Sequence, residues 1–196
     1  MPRPPRFTDD DILDAAQRCV AEHGDRTTIA EVAGELDGPV GSIYHRFASR
    51  DELLVRLWLR AIRRFHEGLL SALDVDDAHT ALIAGAGFTP RYCDSQPGEA
   101  IAMRLYSRQR LLGRDLPDQL LVDIDTVNDT VLQRITALAA ERFDAADEEA
   151  VFRTDLAVRI TPYGMVRPYL GGRIPPLVQQ AAMTAADAIL RAGDPS

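Results

Sequence analysis

The sequence predicts an all-α protein in which three short N-terminal helices lead into a larger helical bundle. Three observations carry this. Apolar residues recur at spacings of three and four along nearly the whole chain, and no strand-like alternation interrupts them. Ser, Thr and Asp cap signals stand directly before those apolar stripes. Prolines at 97, 117, 175 and 176 punctuate the starts of later stripes rather than their middles.

Thr8 opens the first helix as its N-cap, and Asp9, Asp10 and Asp11 complement the positive helix end. Ile12, Leu13, Ala16, Cys19 and Val20 form its apolar stripe, which Gly24 ends. Thr28 and Glu31 form a capping box for a second helix carrying Ile29, Val32, Ala33 and Leu36. Asp37-Gly38-Pro39 breaks the chain, and a third helix runs over 40–47. Ser49 and Glu52 make another capping box, and a fourth helix continues to about residue 70 through Trp58, Ile62 and Phe65. The segment 71–79 reads as a boundary. Further helices are predicted over 78–94, 98–112, 117–143, 147–169 and 175–192, with Pro162 kinking or splitting the fourth of these. The domain division this suggests is 1–50, linked by the helix 49–70, and 51–196.

Composition narrows the function classes. The net charge is -8 and all 22 basic residues are arginine. Residues 1–68 hold ten arginines against twelve acids, and the remainder twelve against eighteen. Such a balance argues against non-specific DNA coating, not against a small DNA-binding patch. No apolar run approaches the roughly 20 residues that span a bilayer, so no membrane partner is expected. The N-terminus turns acidic where a secretory signal would be apolar, and Cys19 and Cys93 are too few for a disulfide framework. The expected compartment is the cytoplasm.

The stretch GPVGSIYHRFASRDELL (38–54) concentrates groups suited to phosphate. At 100° per residue, Ser42 and Arg46 fall about 40° apart on one helix face, while Ile43 and Phe47 form an apolar pair on another. Tyr44 and His45 flank the polar side, and Ser49 and Arg50 begin the next helix. Two short helices across a Gly/Pro turn make a helix-turn-helix candidate. Together with TDDDILDAAQRCVAEHG (8–24) and TTIAEVAGEL (27–36), the segment GSIYHRFASRDELL (41–54) resembles the TetR family of bacterial transcriptional regulators. Tyr44 and Phe47 match that family's Y-x-x-F pair, and Arg50 stands where a phosphate-gripping lysine is common. The sequence departs from the family at Asp37, Pro39 and Val40. Val40 and Gly41 offer a methyl contact or close backbone approach, and neither reads a guanine edge.

The resemblance implies an N-terminal DNA-binding domain and a C-terminal effector-binding and dimerisation bundle. It implies a homodimer that binds a pseudo-palindromic double-stranded DNA operator, most simply as a repressor, and responds to a small-molecule effector. The DNA-facing residues are then Thr28, Val40, Gly41, Ser42, Tyr44, His45, Arg46, Ser49 and Arg50, with the tail arginines Arg3 and Arg6 in support. Phe88, Tyr92, Met103, Tyr106, Ile124, Val127, Asn128 and Phe152 are candidates for an apolar effector pocket. Val151, Leu156, Ile160, Met165, Leu177, Met183, Ile189 and Leu190 are candidates for the dimer interface.

Two other function classes compete with this one. An all-α small-molecule-binding protein without DNA affinity fits the bundle. A Mg²⁺-dependent enzyme would use the D-D-x-x-D pattern of Asp10, Asp11 and Asp14, but the second metal motif it needs is missing. The four histidines lie too far apart for a metal site, and no nucleophile, paired catalytic carboxylate or phosphate loop emerges. No enzyme activity, cofactor or metal is therefore expected.

Overall fold

The computed structural model describes residues 7–111, 114–144, 147–192 and 194, so Arg3, Arg6 and the end of the helix expected at 98–112 lie outside it. Its regular elements are helical, with no strand among the described residues. The chain divides into two compact units, residues 1–62 with 98–125 and residues 63–97 with 126–196. The boundary expected at 50/51 thus falls inside the first unit.

In the first unit, α1 (Asp9–His23) opens with a reciprocal box. The Asp11 amide donates to the Thr8 hydroxyl oxygen at 3.1 Å, and the Thr8 amide donates to the Asp11 carboxylate at 2.7 Å. A 3₁₀ turn (Gly24–Arg26) leads to α2 (Ile29–Glu35), which Thr28 and Glu31 cap in the same way. The end of α2 is a Schellman closure. The Gly38 amide donates to the Ala33 carbonyl at 2.9 Å and the Asp37 amide to the Gly34 carbonyl at 3.0 Å. Asp37 takes the left-handed conformation this requires, with φ 48°, and Pro39 forbids further helix. Helix α3 is shorter than predicted, Val40–Tyr44, because the chain turns at His45; Phe47 still donates to Ile43 at 2.9 Å.

Helix α4 (Arg50–Ala72) begins at Ser49, whose hydroxyl accepts from the Glu52 amide at 3.0 Å. The reciprocal bond differs from a capping box, since the Glu52 carboxylate accepts from Ala48 at 2.9 Å. The helix expected at 98–112 is two pieces, α6 (Pro97–Met103) and α7 (Arg108–Leu111), separated by Arg104–Ser107. Residues 117–143 likewise form α8 (Asp118–Thr126) and α9 (Asp129–Phe143). They part at Val127–Asn128.

The second unit is built on α5 (Ala78–Ser95), capped by Asp77. Leu69, Leu73, Leu82, Val131, Ile135, Leu138, Val158 and Leu190 form its buried core. Its fourth predicted helix splits as Pro162 demands. Helix α10 (Glu148–Asp155) widens into a π turn at Leu156–Ile160, and α11 (Thr161–Val166) follows. The widened turn lets Thr161 donate to Leu156, shifting the ladder so that proline's missing N–H falls beside the change of register. Helix α12 (Pro176–Arg191) turns Ala182, Ala186 and Leu190 inward at four-residue spacing. Arg142 Nε donates to His79 Nδ1 at 3.0 Å, which leaves Nε2 to donate to Asp187 at 2.7 Å and ties α5, α9 and α12 together. No helix among the described residues is long and apolar enough to cross a membrane.

Two consequences are testable. A Cβ on Gly68 would stand 2.4 Å from Phe88 Cζ, so the ring occupies the space glycine leaves. Gly68→Ala is expected to lower stability by about 1–3 kcal/mol despite alanine's better helix propensity, and Phe88→Leu in the same chain to restore much of it, read by thermal melts. Burial, aided by the Arg159 charge, holds His66 down to about 4 from its ordinary 6.5. The unfolded chain binds this proton first as pH falls, so the associated stability is present above about pH 6.5 and lost toward pH 4, on the order of 3 kcal/mol. His66→Gln is expected to flatten that part of the pH–stability curve in urea titrations.

Candidate nucleic-acid interface

The geometry of α2, the turn and α3 follows from what α3 buries. Ile43 and Phe47 are almost wholly buried and fix the short helix from one side. The opposite surface then carries Val40, Gly41, Tyr44 and His45, all exposed, with Tyr44 at 52% the most open of the large side chains there. A Cβ on Gly41 would meet nothing within 4 Å, so the backbone there is open to close approach. Thr28 and Ser49 lie exposed at the starts of α2 and α4.

Several predicted side chains are already engaged. The Ser42 hydroxyl donates to the Pro39 carbonyl at 2.7 Å, so it faces outward as an acceptor. The Thr28 hydroxyl likewise donates to Glu31, at 2.9 Å. Hydrogen bonds from the Thr28 amide and hydroxyl also hold the Glu31 carboxyl below its ordinary range. Arg46 does not share a helix face with Ser42, as the spacing suggested. It lies beyond the end of α3 and pairs with Asp9 at the start of α1. Arg50 is turned inward, with Nε donating to the Thr27 carbonyl at 2.5 Å, Nη2 donating to the Asp25 carbonyl and Nη1 3.3 Å from Asp51. Local spacing carries no trace of the bonds from Arg46 to Asp9 and from Arg50 to Thr27 and Asp25, whose partners lie 23 to 37 residues apart.

Of the acids that suggested metal binding, Asp10 and Asp14 are held by arginine and Asp11 by Thr8. Arg60 Nη1 lies 3.4 Å from Asp10 and 2.8 Å from Asp14. No cluster of three metal-ligating side chains occurs among the described residues.

The predicted pocket residues divide between the units. In the second, Phe88 and Tyr92 form an aromatic group with Phe65, at ring separations of 5.3–5.5 Å, and Val127 supplies a backbone hydrogen bond to His66. Asn128 precedes α9 without capping it through its side chain. Met103 and Ile124 are buried in the first unit, where Tyr106 lies under Arg114. Phe152 is 61% exposed and lines no interior cavity, because α10 turns Ala150 and Thr154 inward and Phe152 outward. A surface groove of about 520 Å³ runs along α9, lined by Asp129, Leu132, Gln133, Thr136, Ala137 and Ala140, none of which the sequence singled out.

Of the predicted interface residues, Leu190 is fully buried in its own chain and Ile189 packs against the same core, since both continue the inward face of α12. Ile160 and Leu177 are strongly exposed, and Val151, Leu156, Met165 and Met183 are half-buried.

Residues 12–57 match the family of bacterial regulatory proteins, tetR family. The sequence finds no match among curated proteins. The fold is shared with solved regulators along nearly their whole lengths. The ketosteroid transcriptional regulator KstR2 of Mycobacterium tuberculosis is 18% identical, with 95% of each chain covered and a TM-score of 0.68. The TetR family transcriptional regulator PfmR of Thermus thermophilus is 20% identical, covering 92% of this chain and 97% of its own, at 0.71. The fatty acid degradation regulator FadR of Bacillus halodurans is 18% identical, covering 93% and 98%, at 0.68. Residues 12–57, which hold the helix-turn-helix, thus match the tetR family of bacterial regulatory proteins, and the chain as a whole has the fold of solved transcriptional regulators, which together support a DNA-binding transcriptional regulator.

Proposed function

We propose that the protein is a ligand-responsive repressor that binds a two-fold operator as a homodimer in the cytoplasm. The observation that carries the DNA-facing part is the outer surface of α3, where Val40, Gly41, Tyr44 and His45 are exposed while Ile43 and Phe47 are buried. Tyr44, His45 and Ser49 donate to phosphates, and at the start of α2, where the capping box takes the Thr28 and Glu31 amides, the amides of Ile29 and Ala30 meet another. Val40 meets a thymine methyl, and Gly41 lets the backbone come close to the bases. Ser42, with its proton held by Pro39, accepts from an adenine or cytosine amino group.

Dimerisation is supported by apolar surface that a lone chain leaves in water. Phe152, Leu156, Ile160 and Tyr163 follow one another at spacings of four, four and three along α10, the π turn and α11. Three of them are strongly exposed, and Leu177 on α12 is 70% exposed. The effector is an apolar or aromatic molecule that enters the second unit near Phe65, Phe88 and Tyr92, which fits proteins of the same fold that are described as ketosteroid and fatty acid degradation regulators. Its effect on DNA requires different affinities for two conformations.

Selection of bound fragments from genomic DNA at moderate salt is expected to recover inverted half-sites about one helical turn, 34–36 Å, or a multiple apart. Recovery of no sequence preference would sink the operator reading. Tyr44→Ala is expected to weaken binding about tenfold on all sequences with the salt slope nearly unchanged, since a neutral hydroxyl releases no counterion, whereas Ser42→Ala acts at a single base position. Ile160→Asp is expected to shift the protein from dimer to monomer in sedimentation and to weaken operator binding by at least tenfold; a dimer that persists refutes the assigned face.

A further inference from the structure

Arg50 stands at the first position of α4, where the family resemblance implied a grip on DNA phosphate. Its fork is spent inside the protein. Nε and Nη2 close on the carbonyls of Thr27 and Asp25, which border the 3₁₀ turn just before Thr28 caps α2. Nη1 faces the Asp51 carboxylate at 3.3 Å. The other Asp51 oxygen receives Arg114 Nη1 at 3.1 Å, and that guanidinium stands 5.3 Å from the centre of the Tyr106 ring. A chain of contacts therefore runs from Tyr106 and Arg114 through Asp51 and Arg50 to the backbone that presents Thr28. All of these residues belong to the first compact unit.

We propose that Arg50 is a positioning residue rather than a phosphate ligand: held by Asp51 and Arg114, it sets the placement of the α2 N-terminus, and so couples operator affinity to the contact of Arg114 with Tyr106. The inference rests on the reading that the starts of α2 and α4 and the outer face of α3 meet DNA. Two physical points support it. The two carbonyls and the carboxylate are met by three different nitrogens of one planar guanidinium, and a lysine ammonium, whose three donors sit on a single nitrogen, does not match those positions. The side chains of Arg50, Asp51 and Arg114 are 34%, 50% and 42% exposed, so their ion pairs add little to stability. Their consequence is geometric.

The test measures affinity of the full chain for a duplex recovered by the genomic selection, across a salt series, beside thermal melts and phosphate-ethylation interference. Arg50→Lys and Arg50→Ala are both expected to weaken binding about tenfold while the salt slope stays that of the unaltered chain. The phosphate read by the α2 N-terminus is expected to drop out of the interference pattern, and those read by Tyr44 and His45 to remain. Arg114→Gln is expected to weaken binding about threefold with the melting temperature nearly unchanged, and to add less than its full effect in an Arg50→Lys background. Asp51→Asn, close in size, gives the same readout should the Arg50 variants fold poorly. Full affinity in Arg50→Lys together with a slope reduced by about one in Arg50→Ala would make Arg50 a phosphate ligand and overturn the proposal. Unchanged affinity in both Arg114→Gln and Asp51→Asn would overturn the coupling. Failure of the DNA-facing reading looks different: the unaltered chain then binds no duplex at low salt, and Tyr44→Ala is silent.

Discussion

A five-residue helix has no stability of its own, since the first hydrogen-bonded turn costs more order than it returns. Helix α3 exists because Ile43 and Phe47 are driven out of water and because the turn before it is closed. The Schellman bonds at the end of α2 satisfy carbonyls that would otherwise need water, and Asp37 accepts a left-handed backbone to form them. Once those two conditions are met, the outward direction of Tyr44, His45 and Gly41 is no longer adjustable. Every property of the outer face of α3 inherits that constraint.

Charge is arranged to the same end. An acidic chain meets a polyanion only if its acids near the contact are neutralised or turned away. Here Asp9 holds Arg46, Asp10 and Asp14 share Arg60, Arg18 meets Glu35, and the largely buried Glu52 pairs with Arg56 at 2.8 Å. Arginine suits this work better than lysine because its fork satisfies several acceptors in fixed directions. One consequence is that few cations among the described residues of this unit remain for phosphate. The proposed interface then leans on hydroxyl, imidazole and backbone donors, for which a correspondingly modest dependence on salt is expected.

The sequence displays local information well and distant information hardly at all. The N-cap at Thr8, the box at Thr28–Glu31, the end at Gly24 and the break at 37–39 depend on residues three to five apart, and each was legible, whereas the return bond from the Thr8 amide to Asp11 was not. Ile43 and Phe47 were identifiable as an inward pair from their spacing alone. The break at Val127–Asn128 and the one at Arg104–Ser107 left no proline or glycine to mark them, and the stripes on either side run on in phase. Pro162 announced a disturbance but not its form, because a π turn is a response of the ladder rather than a residue preference. The ties of Arg46 to Asp9 and of Asp51 to Arg114 cross 37 and 63 residues, so only the folded chain brings them into view.

Those ties also bear on how the protein chooses its site. A good bidentate contact from arginine to guanine is worth about 1–3 kcal/mol of discrimination, and Arg46 and Arg50, the arginines of this face, are both engaged within the protein. What remains is a methyl group at Val40, an acceptor at Ser42 and a backbone at Gly41 that can approach closely. Each distinguishes bases weakly. Weak contacts become selective when they are repeated, since two half-sites read by a two-fold pair double the free-energy difference between a right and a wrong operator. They also become selective when the DNA must fit a rigid surface, because a groove of the wrong width costs energy at positions that no side chain touches. A recognition helix pinned by Ile43 and Phe47 is such a surface. The rigidity of α3 therefore serves the proposed reading of DNA as much as the fold, and a face without a long readout side chain accords with it.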